Sequence, residues 1–494
     1  MSTPNRSNRL APALLLQICS LMGLATQLGC HPQKLERPEV SAPASQTLPA
    51  QDPSAILRQM EQVYRDADEY SDRGQVVLRY RERGDIHTDS AALAVSVRLP
   101  NEIRVDAYYS ELVCDGKQLR ARITDEKSNN IDGQILSRAL DNELSLELVY
   151  QDATLREAMT SGMAGQPLQL NLLYADDPLK SVFAEDAKLK ILETAEYEGA
   201  ACYRVAASGA EGEFIFWIDG TTYMLRRLDY PAASLLPDLA RSEMIQDLSL
   251  RVEFRDATFN PDFDNSSFSF AVPIDAKLVQ AFVLPPPPLP TGLFGKQLAD
   301  FACYRLDGST ISQKSLLGQT VVLLWYNDHP ACRSTIAQLS EVYGSVAQDD
   351  SVAVFAVSAE PSSVSSNQLE ANLAAWNVNV PVLRDLDACG RDVLGVPYTP
   401  TMLVLDKEGY LQIFEVGANS DLAQELPTIL DRLRKGDDLA GEILADHDQQ
   451  TAAYHETLRA AMADTGTPTP EPSPASNRPA SDTPNDVTSG EADR

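Results

Sequence analysis

The most informative stretch of the chain is VVLLWYNDHPACR, residues Val321–Arg333. Its first six residues are all apolar or aromatic and have the length of one strand, so they predict a strand that is buried in the middle of a sheet. A proline follows, and then Ile336, Leu339 and Val342 recur at helical spacing. Because proline is favoured at the start of a helix, the stretch predicts a strand that leads into a helix, with Cys332 in the first helical turn.

The segments that follow continue the alternation of strands and helices. A second buried strand is predicted at Val352–Val357, helices at Leu369–Trp376 and Leu422–Leu433, and a hairpin around the turn Lys407–Gly409. The order strand, helix, strand, helix, hairpin and helix is that of a thioredoxin fold. The C-terminal half is therefore predicted to be an α/β domain.

Three local motifs of this half resemble membrane-anchored thiol-disulfide oxidoreductases of the redoxin and cytochrome-maturation type. They are the strand that enters a Pro-x-Cys-Arg helix start, a Thr-Pro-Thr sequence around Pro400, and Leu405–Gly409, and the resemblance spans residues 293–434. It implies that Pro400 is the family's cis-proline, which lies against the active site and helps to bind extended thiol substrates. It also places Trp325 where the family prefers an aromatic residue. The predicted binding residues are thus Pro400, Thr399 and Trp325.

The active-site motif departs from the family pattern. The family needs Cys-x-x-Cys, because one thiolate attacks a disulfide and the other resolves the mixed disulfide. Here His329 has the place of the attacking cysteine, and Cys332 remains. One interpretation is a degenerate, purely binding site. The other is a reactive monothiol, either a thiol oxidoreductase or a peroxide-reducing centre, in which His329 and the helix N-terminus lower the pKa of Cys332. Cys389 is a candidate to resolve Cys332 if it lies within disulfide reach.

The N-terminal half has a different pattern. A helix is predicted after Ser54, followed by strands with Asp-Gly turns, which favour an antiparallel meandering sheet. The more helical section 132–174 is expected to cover one face of that sheet. RLPNEIRV, from Arg98, and FWID, from Phe216, resemble the periplasmic lipoprotein-carrier family (LolA/LolB-like). The resemblance implies a half-open antiparallel β-barrel with helices in its cavity, which would bind an acyl chain or a lipoprotein.

The chain is predicted to hold two domains, an α+β domain in the N-terminal half and an α/β domain in the C-terminal half. Shorter segments precede, join and follow them. Arg6 and Arg9 precede a short apolar run, as in a signal peptide, and the run ends in a sequence that resembles a bacterial lipobox with Cys30 as the lipidated residue. An ordinary secretory signal is the alternative. The predicted divisions are a signal peptide (1–30), a flexible tether (31–53), the LolA-like domain (54–282), a proline-rich linker (283–292), the thioredoxin-like domain (293–436), an acidic helical extension (437–464) and a disordered tail (465–494).

The remaining cysteines have structural interpretations. Cys114 and Cys202 lie in predicted strands and are expected either to form one disulfide or to stay as two buried thiols. Cys303 is expected to be a packing residue. The chain has no HExxH, paired CxxC, P-loop or dinucleotide motif, so neither a metal site nor a cofactor is predicted.

Charge limits the partners of the protein. With 41 basic and 71 acidic residues, the formal net charge is −30, which repels phosphate backbones and argues against nucleic-acid binding.

The N-terminal signal predicts an exported protein on the periplasmic side of a bacterial envelope, which touches the membrane only through an N-terminal lipid. Its expected partners are an extended peptide or thiol-containing protein at the thioredoxin-like groove and an acyl chain or lipoprotein at the other domain. The predicted function is a binding or chaperone-like role in the envelope. The alternative is a thiol-disulfide oxidoreductase or a peroxide-reducing monothiol enzyme acting through Cys332.

Overall fold

A computed structural model describes residues 48–124, 131–180, 182–183, 187–242, 244–264 and 266–463. These residues belong to one compact unit that contains two sheets, one of twelve strands and one of seven. The predicted signal peptide, the predicted lipidation site at Cys30 and the predicted tail lie outside the described residues. Within the described part of the chain, no helix is long and apolar enough to cross a bilayer.

The N-terminal sheet is a twelve-stranded meander. Its strands are β1 (Glu69–Glu82), β2 (Asp85–Arg98), β3 (Glu102–Ala107), β4 (Ser110–Asp115), β5 (Gln118–Ile123), β6 (Gln134–Ala139), β7 (Lys188–Tyr197), β8 (Ala200–Gly209), β9 (Gly212–Asp219), β10 (Leu225–Tyr230), β11 (Ile245–Thr258) and β12 (Lys277–Val279). The order across the sheet is β12-β6-β5-β4-β3-β2-β1-β11-β10-β9-β8-β7. All neighbours are antiparallel except β12 and β6. The predicted antiparallel meander is thus present as one large sheet that ends in two edge strands.

Helices cover one face of this sheet. They are α1 (Pro53–Arg65), α2 (Leu146–Val149), α3 (Ala153–Thr160), α4 (Leu168–Tyr174), α5 (Ala232–Leu235) and α6 (Pro237–Arg241). The Asp52 side chain caps α1 by accepting the Ala55 N–H, and α1 packs against α4, β7 and β8. Alternate residues of the strands share one hydrophobic core with α1, α3 and α4. The predicted helical section 132–174 therefore covers the sheet with α2 to α4, although its beginning is strand β6.

A buried carboxylate ties α4 to the middle of the sheet. Asp72 on β1 is only 5% exposed. It accepts hydrogen bonds from the Tyr70 hydroxyl (2.6 Å), the Gln169 side-chain amide of α4 (2.9 Å), and the backbone N–H groups of Gly74 (2.8 Å) and Val95 (3.1 Å). Burial nevertheless raises the pKa of Asp72 to about 6, because the hydrogen bonds compensate only in part for the loss of water.

The C-terminal sheet has seven strands in all, and the strand formed by Thr320–Tyr326 lies in its interior. The strands are β13 (Ala302–Arg305), β14 (Thr310–Ser312), β15 (Thr320–Tyr326), β16 (Val352–Ser358), β17 (Val382–Arg384), β18 (Thr401–Leu405) and β19 (Leu411–Val416). They are ordered β14-β13-β17-β16-β15-β18-β19, with β15 parallel to β16 and antiparallel to β18. The helices are α7 (Pro330–Val346), α8 (Ser366–Ala375), α9 (Cys389–Asp392), α10 (Leu422–Lys435) and α11 (Leu439–Ala463).

Every residue of β15 is buried because each face of the sheet has its own hydrophobic cluster. Val321, Leu323 and Trp325 point into one cluster, which also contains residues of β13, β18, β19 and α9. The other cluster takes the alternate residues of β15, together with α7 and α10. The prediction of a buried central strand is confirmed.

Helix α11 packs on both sheets. Near its start, the Ala440 N–H donates to the Gln412 side chain on β19 (3.1 Å). Towards its end, the Tyr454 hydroxyl accepts a hydrogen bond from the Gln134 amide on β6 (3.3 Å), and its ring is buried in the core of the N-terminal sheet. The segment predicted as a helical extension is therefore a single helix anchored in both halves. The proline-rich residues 283–292 form neither helix nor strand.

We expect Asp72 to make the free energy of unfolding fall as the pH rises from about 4 to about 6. Its pKa is about 6 in the folded state and 3.8 without burial, so the folded state binds the proton more tightly and ionisation destabilises it. The loss amounts to roughly 3 kcal/mol at about 1.4 kcal/mol per pKa unit. Urea denaturation between pH 4 and 7 should show this loss for the wild type relative to Asp72→Asn. The exposed Asp89→Asn variant is the control and should keep the wild-type pH dependence; a constant difference between wild type and Asp72→Asn would contradict the assignment.

Candidate functional site

The junction of β15 and α7 places Cys332 at the carboxyl end of the central strand. β15 ends at Tyr326, and α7 begins at Pro330. His329 is the N-cap residue: its backbone is extended, and its Nδ1 accepts the Ala331 N–H at 3.2 Å. Proline as the first helical residue costs no backbone hydrogen bond, since the N–H groups of the first turn have no partner in the helix. The local structure is the one predicted from the sequence.

Cys332 is fully buried. The side chain is 0% exposed, and its thiol donates a hydrogen bond to the Asn327 side-chain oxygen at 3.2 Å. Burial raises the pKa of Cys332, and hydrogen bonds from the Asn327 backbone and the Thr399 side chain offset this effect only in part. Since the thiolate is the nucleophile, the environment favours the unreactive thiol form.

His329 serves as the N-terminal cap of α7, since its Nδ1 accepts the Ala331 N–H. Within the described ranges, no group of three or more His, Cys, Asp or Glu side chains is placed to hold a metal ion.

Charged and aromatic side chains fix the loop in front of α7. The Arg333 guanidinium donates to the Asp328 carboxylate (3.0 Å) and lies over the ring of Trp376, 5.0 Å from its centroid. The Asp328 N–H donates to the Glu360 carboxylate at 2.7 Å. The arginine of the motif therefore has a structural role, and the loop is held from both sides. The sequence pattern assigned no role to Asn327, Asp328 or Glu360. The first two act through side-chain contacts five residues along the chain, and Glu360 acts on a backbone N–H 32 residues away.

Pro400 lies beside this site after a cis peptide bond with Thr399. Pro400 is buried and Thr399 is half-buried, while Tyr398 is 58% exposed. The Thr401 hydroxyl donates to the Tyr398 carbonyl at 2.6 Å, which fixes the turn. The structure thus brings Cys332, Thr399 and Pro400 together as predicted. The exposed aromatic ring at Tyr398 is an additional feature that the sequence analysis missed.

Trp325 does not contribute to a binding surface. Its ring is 1% exposed and belongs to the cluster on the opposite face of the sheet from Cys332. Its indole N–H donates to the Asp385 carboxylate at 3.0 Å. Successive residues of a strand point to opposite faces, so Tyr326 faces the Cys332 side and Trp325 faces away. The predicted binding role of Trp325 is therefore corrected to a role in the core.

The structure also revises the expectations for the other cysteines. All five described cysteines are buried free thiols. Cys114 on β4 and Cys202 on β8 have six strands between them in the sheet order, so they form no disulfide and the alternative of two buried thiols holds. The Cys389 sulfur lies 3.7 Å from that of Cys303, in the cluster on the far side of the sheet from Cys332. Cys389 is therefore not the resolving partner of Cys332.

A second candidate site is a cavity of about 570 Å³ in the N-terminal half. It lies between α4, the segments on either side of α4, and strands β8 to β10. Aliphatic and aromatic side chains line much of it, including Leu168, Leu179, Val182, Phe214, Phe216, Leu228 and Tyr230. Met163 and Leu235 at its rim are more than one-third exposed. A concave surface of this composition suits an apolar ligand.

Comparison with protein families supports the architecture of the C-terminal half. Residues 294–413 match the AhpC/TSA family. This half has a thioredoxin-like fold. The match covers the thioredoxin-like domain from its opening segment to β19 and leaves the twelve-stranded sheet outside it. No curated protein matches the chain.

Several solved structures are similar to part of the chain. A secreted Mycobacterium tuberculosis disulfide oxidoreductase homologous to E. coli DsbE is 19% identical and matches 26% of this chain and 95% of its own, with a TM-score of 0.23. StoA from Bacillus subtilis is 20% identical over 29% and 98% of the two chains, with a TM-score of 0.23. The thioredoxin domain of a thiol-disulfide oxidoreductase from Bacteroides vulgatus is 16% identical over 28% and 99%, with a TM-score of 0.25.

We expect Cys332 to react slowly with alkylating reagents in the folded protein. It is shielded from solvent and its pKa is raised, so its rate should be at least roughly tenfold below that of an exposed thiol and should rise on denaturation. Iodoacetamide labelling from pH 6 to 9, followed for each cysteine by mass spectrometry, measures this rate. An exposed thiol introduced by Ser362→Cys is the internal reference. Rapid labelling of Cys332 well below the ordinary thiol pKa of about 8.5 would identify an activated thiolate instead.

Proposed function

We propose that this protein is an exported envelope protein whose two halves bind partners and do not carry out a thiol-disulfide cycle. The observation that carries the proposal is the state of the motif: Cys332 is fully buried, and His329 occupies the position of the attacking cysteine. A dithiol cycle needs a second thiol to release the mixed disulfide. Cys389, the candidate for that role, is in contact with Cys303 instead.

The thioredoxin-like domain then binds through the groove beside Pro400. On this side of the domain, Tyr398 is exposed and Thr399 is half-buried, and His329 lies half-buried at the start of α7. We infer that an extended peptide or a cysteine-containing protein binds there, since this is the substrate class of the redoxin-type proteins that the sequence resembles. Binding in this groove does not need a reactive thiol.

The N-terminal sheet, in this proposal, is a LolA/LolB-like half-open barrel that holds an acyl chain or a lipoprotein. Three features support it: the antiparallel meander, the helices that share its core, and the apolar cavity beside α4. We further propose that residues 1–30 export the protein, that Cys30 carries the lipid anchor, and that the chain acts on the periplasmic side of the membrane.

A second function is supported by the family match of residues 294–413. In this alternative, Cys332 is the single reactive thiol of a thiol-disulfide oxidoreductase or a peroxide-reducing enzyme. It would need a movement that exposes Cys332 and an external thiol to regenerate it, because the described residues offer no resolving partner beside it.

We expect the wild-type protein to show no catalysis of insulin disulfide reduction by dithiothreitol. His329→Cys, which restores the two-cysteine motif, should raise the rate at least roughly tenfold over the wild type, since it supplies the missing attacking thiol. His329→Ser is the matched control, because serine caps the helix without adding a thiol. Wild-type turnover that disappears in Cys332→Ser would establish the oxidoreductase alternative. A folded His329→Cys protein without activity would count against the motif alignment.

We expect the N-terminal cavity to bind a fluorescent fatty acid saturably. Leu235→Asp places a carboxylate at the cavity rim and should weaken the affinity by about tenfold, which corresponds to about 1.4 kcal/mol. Ile274→Asp is the matched control, because Ile274 is also an exposed aliphatic residue but does not line the cavity. Fluorescence titration of the three proteins measures the effect. Absence of saturable binding, or equal losses in both variants, would rule out the carrier role of this cavity.

A further inference from the structure

Two buried thiols of the thioredoxin-like domain lie in contact although they are 86 residues apart in the chain. Cys303 is on β13 and is 0% exposed, and Cys389 is the first residue of α9 and is 6% exposed. Their sulfur atoms are 3.7 Å apart. Closing this gap to a disulfide needs a movement of less than 2 Å, since a disulfide is about 2.05 Å long.

The backbone on the Cys389 side of this contact is fixed. The Asp385 carboxylate accepts the N–H groups of Cys389 (2.7 Å) and Gly390 (2.9 Å) and the indole N–H of Trp325 (3.0 Å). A glycine is needed at position 390, since a Cβ there would lie 2.3 Å from the Trp325 nitrogen. These contacts hold the start of α9 against the central strand.

The Cys303 side is fixed to the same loop. β13 pairs with β17, with Tyr304 opposite Arg384, immediately before the loop that carries Cys389. The Tyr304 hydroxyl also donates to the Asp387 carboxylate at 2.7 Å. The two cysteines therefore approach each other from two segments that are already held together, so that little further ordering is required for them to bond.

We propose that Cys303 and Cys389 are a redox modification site that forms a structural disulfide. The co-reactant is an external disulfide of low molecular weight or of an oxidoreductase. One of the two cysteine sulfurs attacks it as a thiolate and forms a mixed disulfide, and one external thiol leaves. The sulfur of the other cysteine then attacks the protein sulfur of the mixed disulfide, and the second external thiol leaves with the remaining proton. The pair loses two electrons and two protons, and the external disulfide gains both.

The surroundings distinguish this pair from a catalytic one. The adjacent Cys303 thiol, burial and the Asp385 carboxylate all raise the pKa of Cys389. Catalytic pairs of this fold stabilise the thiolate, which makes their disulfides easy to reduce. Here the strongest influences on Cys389 all disfavour its thiolate. The disulfide is therefore a lasting crosslink, made most readily while the chain folds and the thiols are still exposed.

The crosslink would join the edge hairpin of the sheet to the segment that leads from α9 to Pro400. It would close a loop of 86 residues, and crosslinks that close long loops restrict the unfolded chain most. Oxidation should therefore raise the thermal midpoint of the thioredoxin-like domain by roughly 5 °C or more.

The test maps the cysteines of the full chain. The protein is unfolded and refolded with either oxidised and reduced glutathione or a phosphine reductant, then denatured, blocked with N-ethylmaleimide and digested for mass spectrometry. We expect a crosslinked Cys303–Cys389 peptide only after oxidative refolding, with Cys114, Cys202 and Cys332 blocked by the maleimide. The thermal midpoint should fall back when the oxidised protein is reduced.

Single variants provide the controls. Cys303→Ser and Cys389→Ser should each lose both the crosslinked peptide and the gain in thermal midpoint, whereas Cys332→Ser should keep both. The proposal is overturned if Cys303 and Cys389 are both blocked by maleimide after oxidative refolding, or if Cys389 is found bonded to Cys332. The wild-type peptide map decides this even if a serine variant does not fold. Neither result changes the insulin and fatty-acid assays, so the proposed binding function is tested separately.

Discussion

The burial of β15 on both faces is the constraint on which the thioredoxin-like domain depends. All seven of its side chains are buried. The six from Val321 to Tyr326 alternate between two hydrophobic clusters, one shared with α7 and α10 and the other with β13, β19 and α9. Fully burying one large aliphatic side chain stabilises a fold by about 1.5–3 kcal/mol, so this strand contributes more than any exposed ion pair. The same alternation decides the chemistry, because it places Cys332 on one side and the Cys303 and Cys389 pair on the other.

The sequence predicts well those features that depend on neighbours along the chain. The apolar run of β15, the proline at the start of α7 and the position of Cys332 all follow from local pattern, and the cis bond before Pro400 follows from the resemblance of its flanking residues. Trp325 shows where local pattern fails. A strand buried on both faces has no polar side to reveal which direction each ring takes, and so its contact with Asp385 could not be predicted.

Contacts between distant segments were also beyond the sequence. Gln169 meets Asp72 across 97 residues, and Cys389 meets Cys303 across 86. Neither pair belongs to a spacing motif, and an odd number of cysteines permits many pairings. In the N-terminal half, repeated strands and Asp-Gly turns indicated a meander, but the pairing of β1 with β11, which joins its two parts, follows only from the folded sheet. These contacts are set by the topology of the folded chain and are therefore not visible in local sequence patterns.

The two ends of α11 have a mechanical consequence. Its 25 residues span about 37 Å at 1.5 Å per residue, and it is embedded in the cores of both halves. A helix held at both ends acts as a stiff rod, so a shift of β12 or β6 is carried to β19, the neighbour of the strand that begins directly after Pro400.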